Sequence, residues 1–289
     1  MDTLRKSQWL KPLRSVTAAI SLAMMTVAQA AETPRIVTVG SSVTELVYAL
    51  GAGEQVVAVD VTSQQPAAVH ELPKVGYHRA LSTEGVLSLR PDRVIGSDEM
   101  GPPPVIKQLQ ATAVTVDILT TDASLENLYQ RIETTAELLN KSQEGSQLQA
   151  KIQQDIDAAK ARFRGEKPRV LLFLSHNGTP MVAGAETTAD TLIQLAGGTN
   201  VAASHFERFR QVSDEAILSM RPDLILITQS SPEAPDESRI LAMQPGLAMT
   251  PAGTNKRFVP VDGTLLVGGL GPRVGEAALA LATEFYPES

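Results

Sequence analysis

The 289-residue chain contains no cysteine. That excludes disulfides, thiolate metal sites and thiol nucleophiles. It also excludes the cysteine on which a bacterial lipoprotein is acylated. Aromatic residues make up only 4% of the chain, so the places where they cluster carry information. The four histidines are scattered, which argues against a zinc site. There is no GxGxxG after a strand, no Walker P-loop, no GxSxG and no HExxH, so the common signatures of nucleotide-binding and hydrolytic enzymes are missing. Beyond residue 30 no segment is long and apolar enough to span a bilayer.

Residues 1–30 read as a separate object. Arg5, Lys6, Lys11 and Arg14 form a basic start, Ala18 to Val27 an apolar stretch, and Ala28-Gln29-Ala30 a small-residue cleavage site. This is the pattern of a secretory signal peptide, with cleavage expected before Ala31. Its apolar stretch is about half the ~20 residues a membrane-spanning helix needs. Removing it takes away four basic residues and Asp2, moving the formal net charge from −7 to −10. An acidic chain without a basic block is a poor partner for nucleic acid. The expectation is a protein exported to the periplasm, free in solution and monomeric, neither a lipoprotein nor inserted in the membrane.

What is present is a repeat. Ser82 to Ser97, STEGVLSLRPDRVIGS, recurs without a gap from Ser213 as SDEAILSMRPDLILIT, at an offset of 131 residues. That is too long for a solenoid period and close to the size of a small domain. Each copy reads as a short helix stopped by Arg-Pro-Asp, since proline lacks an N–H and restricts its predecessor. A β-branched run follows, suited to a buried parallel strand.

Around the copies, strands and helices alternate. Arg35–Val39, Gln55–Val61 and Val114–Ile118 read as strands of the first half, with helices near 44–50 and 105–110. Arg169–Leu174 and Arg257–Pro260 read as strands of the second, with helices at 188–195 and after Gly271-Pro272. Ser175–Glu186 reads as a polar loop, and Gly268-Gly269 as helix punctuation. Between the halves, Leu125, Leu128, Ile132, Ala136 and Leu139 make one helical stripe. Leu148, Ile152, Ile156, Ala159 and Phe163 make another behind an N-cap at Ser142. The second helix would run ~30 Å, a stiff connector. The expected fold is α/β: two Rossmann-like lobes with parallel sheets, an N-terminal lobe at 31–141 and a C-terminal lobe at 165–289, joined by one backbone helix at 142–164.

Ligands of open α/β sheets bind beyond the carboxyl ends of the strands, so the site is expected in the cleft between the lobes. The 131-residue offset pairs Tyr77-His78-Arg79 with Arg208-Phe209-Arg210. With Lys74 and Phe206 nearby, these loops combine rings and cations, chemistry suited to a flat apolar ligand with anionic groups.

The stretch Val75-Gly76-Tyr77-His78-Arg79-Ala80-Leu81-Ser82-Thr83-Glu84-Gly85 resembles the haem-binding loop of periplasmic haem-binding proteins of ABC importers. These belong to the helical-backbone group of substrate-binding proteins that also holds siderophore and vitamin B12 binders. The resemblance implies that the protein is not an enzyme and that its ligand is ferric haem. It implies Tyr77 as the iron ligand, Arg79 as the group that hydrogen-bonds the phenolate, and Lys74, Phe206, Arg208, Phe209 and Arg210 as cleft and propionate-contacting candidates. Ser175-His176-Asn177-Gly178 is similar to the setting of a histidine that binds iron from the opposite lobe in some members, whereas others use tyrosine alone. Glu84 and Glu215, one per repeat copy, resemble the glutamates that dock on a dimeric inner-membrane ABC permease with its ATPase. A glutamate in a first helical turn also suits the helix dipole. A ferric-siderophore or corrinoid binder shares fold and repeat without needing Tyr77 and Arg79, and a chelatase-like enzyme in the same cleft is a further alternative.

Overall fold

The computed structural model describes residues 33–176, 179–229 and 237–288, apart from the side chains of His176 and Glu237. The export segment 1–30 lies outside the described residues. In the first half, strands β1 (Ile36–Val39), β2 (Val56–Val59), β3 (Arg93–Ser97) and β4 (Thr115–Leu119) form a wholly parallel sheet in the order β2-β1-β3-β4. Helices α1 (Ser41–Ala49), α2 (Thr83–Leu87) and α3 (Pro103–Gln110) complete the crossovers. The chain leaves β1 in opposite directions toward β2 and β3, which makes the carboxyl ends of these strands the natural floor of a site.

Helices α4 (Leu125–Leu138) and α5 (Ser142–Lys160) carry the chain across to the second half. Ser142 is the first residue of α5 rather than its cap; Lys141 takes the cap position and its Nζ pairs with Glu144 at 3.0 Å. The second sheet contains β5 (Arg169–His176), β6 (Thr179–Ala183), β7 (Thr199–Asn200), β8 (Phe209–Arg210), β9 (Leu224–Gln229) and β10 (Phe258–Asp262). Its order is β10-β9-β5-β6-β8, with β7 beside β5. Around it lie α6 (Thr188–Leu195), α7 (Asp214–Met220), α8 (Glu237–Met243), α9 (Pro251–Thr254) and α10 (Val274–Phe285).

This sheet is mixed, which corrects the expectation of a parallel one. Segment 175–186 is no loop: β5 runs on to His176 and β6 returns antiparallel, Phe173 facing Val182 and His176 facing Thr179. An Asn-Gly dipeptide separates the two strands in sequence, the strongest short hairpin signal a sequence offers.

The repeat proves to be a joint. Ser82 and Ser213 cap α2 and α7 by accepting from the N–H groups of Gly85 at 3.0 Å and Ala216 at 3.3 Å. Arg90 and Arg221 then turn left-handed, at φ 48° and 47°, and proline prevents further helix. The aspartates tie the turn to the strand that opens each half: the Arg35 N–H donates to Asp92 at 2.8 Å, and the Arg169 N–H to Asp223 at 3.1 Å. Both strand-opening guanidiniums reach back to the last helical carbonyls, Arg35 to those of Leu89 and Arg90, Arg169 to those of Met220 and Arg221.

Pro34–Ser289 make one compact unit. A continuous core runs from Val43 and Leu46 of α1 through Ile132 of α4 and Ile156 of α5 to Leu281 of α10. Gly275 lets α10 approach α5 closely, because a Cβ there would sit 2.8 Å from the Ile152 carbonyl. Two charged contacts close the seam between the halves. Glu45 of α1 is 6% exposed and receives two 2.7 Å hydrogen bonds from Arg273, which also donates to Asp262 at 2.8 Å. Arg131 of α4, also buried, donates to the carbonyls of Gly268, at 2.9 Å, and Leu270. Burial pushes its guanidinium down to about 10, against the pull of Asp98, so it stays charged at neutral pH.

Breaking the first contact leaves one partner without its counter-charge. Glu45→Gln is expected to lower stability by about 2 kcal/mol in urea unfolding. The cost is below that of a fully buried pair because Arg273 keeps 30% of its side chain exposed. The seam is also expected to be acid-sensitive. Burial pushes the Asp262 carboxyl up, but hydrogen bonds from Thr264 and Arg273 outweigh this and hold it below its ordinary value. A depressed carboxylate contributes stability that is complete above its unfolded value near ~4 and is lost as pH falls through the folded value. The melting temperature should therefore drop below about pH 4, and Asp262→Asn should flatten part of that drop.

Candidate functional site

The carboxyl ends of both sheets face one cavity of about 1150 Å³. One wall comes from the first half: Tyr77, His78, Arg79 and Glu99, with Thr121 to Leu125 beyond β4. The other comes from the second half: Leu174 and Ser175 of β5, Met181 of β6, the first turns of α6, and Arg208-Phe209. The floor is the backbone of 266–269. Gly268 and Gly269 do more than punctuate a helix. Both have φ +80°, and they bring the chain against Ser42, Thr121 and Arg131 of the first half. Leucines, Met181 and Phe209 supply apolar surface, while threonine hydroxyls and two arginines supply polar contacts. That mixture suits a large ligand with an apolar body and charged edges.

The Tyr77 loop is held by its backbone. Gly76 offers its carbonyl to the Val61 N–H at 2.9 Å, the Ala80 N–H returns to the Tyr77 carbonyl at 2.8 Å, and the Gly101 N–H binds the His78 carbonyl at 2.9 Å. Within this frame Tyr77 stands 41% exposed, and among the described residues its hydroxyl has no hydrogen-bond partner. His78 turns the other way, as the sequence suggests, and is 3% exposed. Its ring lies 4.3 Å from that of Tyr77. Arg79 donates from Nε to His78 Nε2 at 3.2 Å and pairs with Glu99 through a terminal nitrogen.

The remaining candidates divide. Arg208 and Phe209 line the cavity, and Arg208 holds a left-handed φ of 64°. Lys74 does not line it: its Nζ donates to the carbonyls of Val69 at 3.0 Å and Ser63 at 3.4 Å, bracing the loop from below. Phe206 packs on the core of the second sheet, with the Arg210 guanidinium 6.0 Å from its ring centre, and neither lines the cavity. The side chain of His176, at the end of β5, lies outside the described residues. Glu84 and Glu215 sit exposed in the first turns of α2 and α7, away from the cavity lining. The backbone N–H of Glu215 and the Ser213 hydroxyl hold the Glu215 carboxyl below its ordinary value. Among the described residues, no group of three His, Cys, Asp or Glu side chains could hold a bare metal ion, and no helix is long and apolar enough to cross a membrane.

Sequence reasoning missed Asp60, Glu99, Glu186 and the threonine-rich start of α6. Asp60 had a signal, since an aspartate directly after a buried strand and before Val-Thr-Ser sits where sheet sites form. Glu99 and Glu186 had none, because only the loops' three-dimensional path brings them to the wall.

Residues 36–264 match the family model described as periplasmic binding protein. The fold is shared with the periplasmic haem-binding protein HutB of Vibrio cholerae, at 41% identity and a TM-score of 0.81, over 88% of this chain and 100% of that one. It is shared too with a periplasmic haem-binding protein from Pseudomonas aeruginosa, at 38% identity and a TM-score of 0.82, over 88% and 93% of the two chains. A vitamin B12-binding protein of Yersinia pestis is 25% identical over 75% of this chain and 77% of its own length. With its two sheets, bridging helix and shared cleft, the chain belongs to the periplasmic binding protein family and is a substrate-binding protein rather than an enzyme.

Proposed function

We propose that this protein binds ferric haem between its two halves in the periplasm and hands it to an inner-membrane ABC permease and its ATPase. The observation that carries the reading is Tyr77: a half-exposed phenol on the wall of a large cleft, with no internal partner for its oxygen. Phenolate is a hard anionic donor suited to Fe(III), and coordination expels a proton otherwise held to pH near ~10. Arg79 lies two residues away and, with Arg208 on the facing wall, brings positive charge to a cleft that would take propionates and a phenolate. Leu125, Leu174, Met181, Leu266 and Phe209 give the macrocycle apolar surface. The haem-binding relatives in Vibrio cholerae and Pseudomonas aeruginosa support the same cargo. His176, closing β5, is the proposed second iron ligand. Glu84 and Glu215, matched across the two halves, suit a permease that presents paired cations.

Hemin titration followed at the Soret band tests the cargo. The wild-type protein should saturate with a tyrosinate-type ferric spectrum. Tyr77→Ala should lose that spectrum and bind on the order of 100-fold more weakly, about 2.7 kcal/mol. His176→Ala should turn a six-coordinate spectrum into a five-coordinate one. A protein that ignores hemin and binds cobalamin would replace haem by a corrinoid. For delivery, Glu84→Lys with Glu215→Lys should abolish stimulation of the transporter's ATPase in proteoliposomes, with hemin affinity unaltered. Full stimulation by the double variant would remove the docking role.

A further inference from the structure

Behind the Tyr77 loop lies a buried string of polar groups to which cargo binding itself assigns no part. Asp60, at the carboxyl end of β2, is fully buried. It accepts from the N–H groups of Gly40 and Thr62, each at 2.9 Å, from the Ser63 hydroxyl at 2.6 Å and from the Thr62 hydroxyl at 2.5 Å. Ser63 links on to Thr44 and Thr44 to Thr38, at 2.8 Å each. Five buried or half-buried residues thus hold one carboxylate in place. Its Oδ2 faces His78 Nδ1 at 3.7 Å, and on the far edge of that ring Nε2 receives Arg79 Nε.

The chemistry fixes the protonation pattern. A guanidinium nitrogen can only donate, so His78 Nε2 must present a lone pair. The imidazole is therefore neutral, with its single proton on Nδ1, pointing at Asp60. An aspartate on one edge of a histidine favours the tautomer whose other edge accepts. Arg79 needs that acceptor. Its side chain is 56% exposed, and a long cationic side chain at a cleft rim would otherwise sample many rotamers. His78 grips Nε and Glu99 grips one terminal nitrogen. The other terminal nitrogen keeps both of its hydrogens for an outside partner.

We propose that Asp60 and His78 form a positioning pair that orients Arg79 on the cleft wall to meet an anionic group, the Tyr77 phenolate of the haem complex. The proposal rests on the haem reading for the identity of that anion; the orientation of Arg79 belongs to the ligand-free protein. The pair touches neither cargo nor iron and acts through Arg79 alone.

Nitrogen-15 NMR of the ligand-free protein reads the pair without any ligand. The wild type should show the Nδ1–H tautomer of His78 and a scalar coupling between Arg79 Nε and His78 Nε2. Asp60→Asn is nearly isosteric but can donate to Nδ1; it should reverse the tautomer and abolish the coupling. With hemin bound, His78→Leu should shift the tyrosinate charge-transfer band and speed hemin dissociation roughly ten-fold. His78→Gln, which returns an acceptor near Nε2, should recover most of both. If His78→Leu does not fold, as judged by thermal melting, Asp60→Asn and His78→Gln carry the same comparison. An Nε2–H tautomer in the wild type would overturn the proposal. So would a charge-transfer band and dissociation rate that are the same in wild type and folded variants. A wild-type protein that does not take up hemin would defeat the haem reading, while the coupling would still decide the positioning pair.

Discussion

The two halves of this protein are held at one angle by charge placed where water is scarce. Glu45 is almost wholly buried, and an uncompensated carboxylate there would cost several kcal/mol. The cost is offset only when Arg273 reaches across from the other half. Arg131 makes the same demand in reverse, a buried cation that needs the carbonyls of Gly268 and Leu270. Those carbonyls belong to the backbone that floors the cavity. The width of the cleft is thus set by contacts that are expensive to open. With the helix core running through α1, α4, α5 and α10, they leave little room for hinge motion.

On that fixed frame the two walls differ in chemistry. The first-half wall presents a phenol, a cation and a carboxylate within four loops that begin where strands end. The second-half wall is richer in hydroxyls and carries two residues, Glu186 and Arg208, in left-handed backbone conformations. Non-glycine residues in that region are disfavoured, and such strain gathers at binding sites where surrounding structure enforces it. Asymmetry of this kind is what a ligand with one reactive face requires.

Much of this was legible in the sequence, and the parts that were not have a common cause. The repeat announced two halves because its residues serve a local joint: Ser82, Arg90-Pro91-Asp92 and their counterparts act within one turn of the chain or on the strand beside it. Tyr77 and Arg79 were legible for a similar reason, since a short motif carries them together. Lys74, Phe206 and Arg210 looked equivalent to Arg208 and Phe209 in composition. Which of them reaches the cavity depends on the path of their loops, and composition does not encode that. The antiparallel β6 was misread because five polar or mixed residues look like a loop until a neighbouring strand pairs with them. The seam residues were invisible, since Glu45 and Arg273 lie 228 positions apart. Nothing local marks either as a partner.

The Asp92 and Asp223 joints have a consequence for how such a protein can change. Both tie down the amino ends of strands, whereas the cavity is built at the carboxyl ends. Folding instructions and recognition surfaces therefore occupy opposite poles of each sheet. A lineage carrying this joint twice can rewrite the loops at one pole and acquire a new cargo. The code at the other pole, which keeps each half assembling, goes untouched.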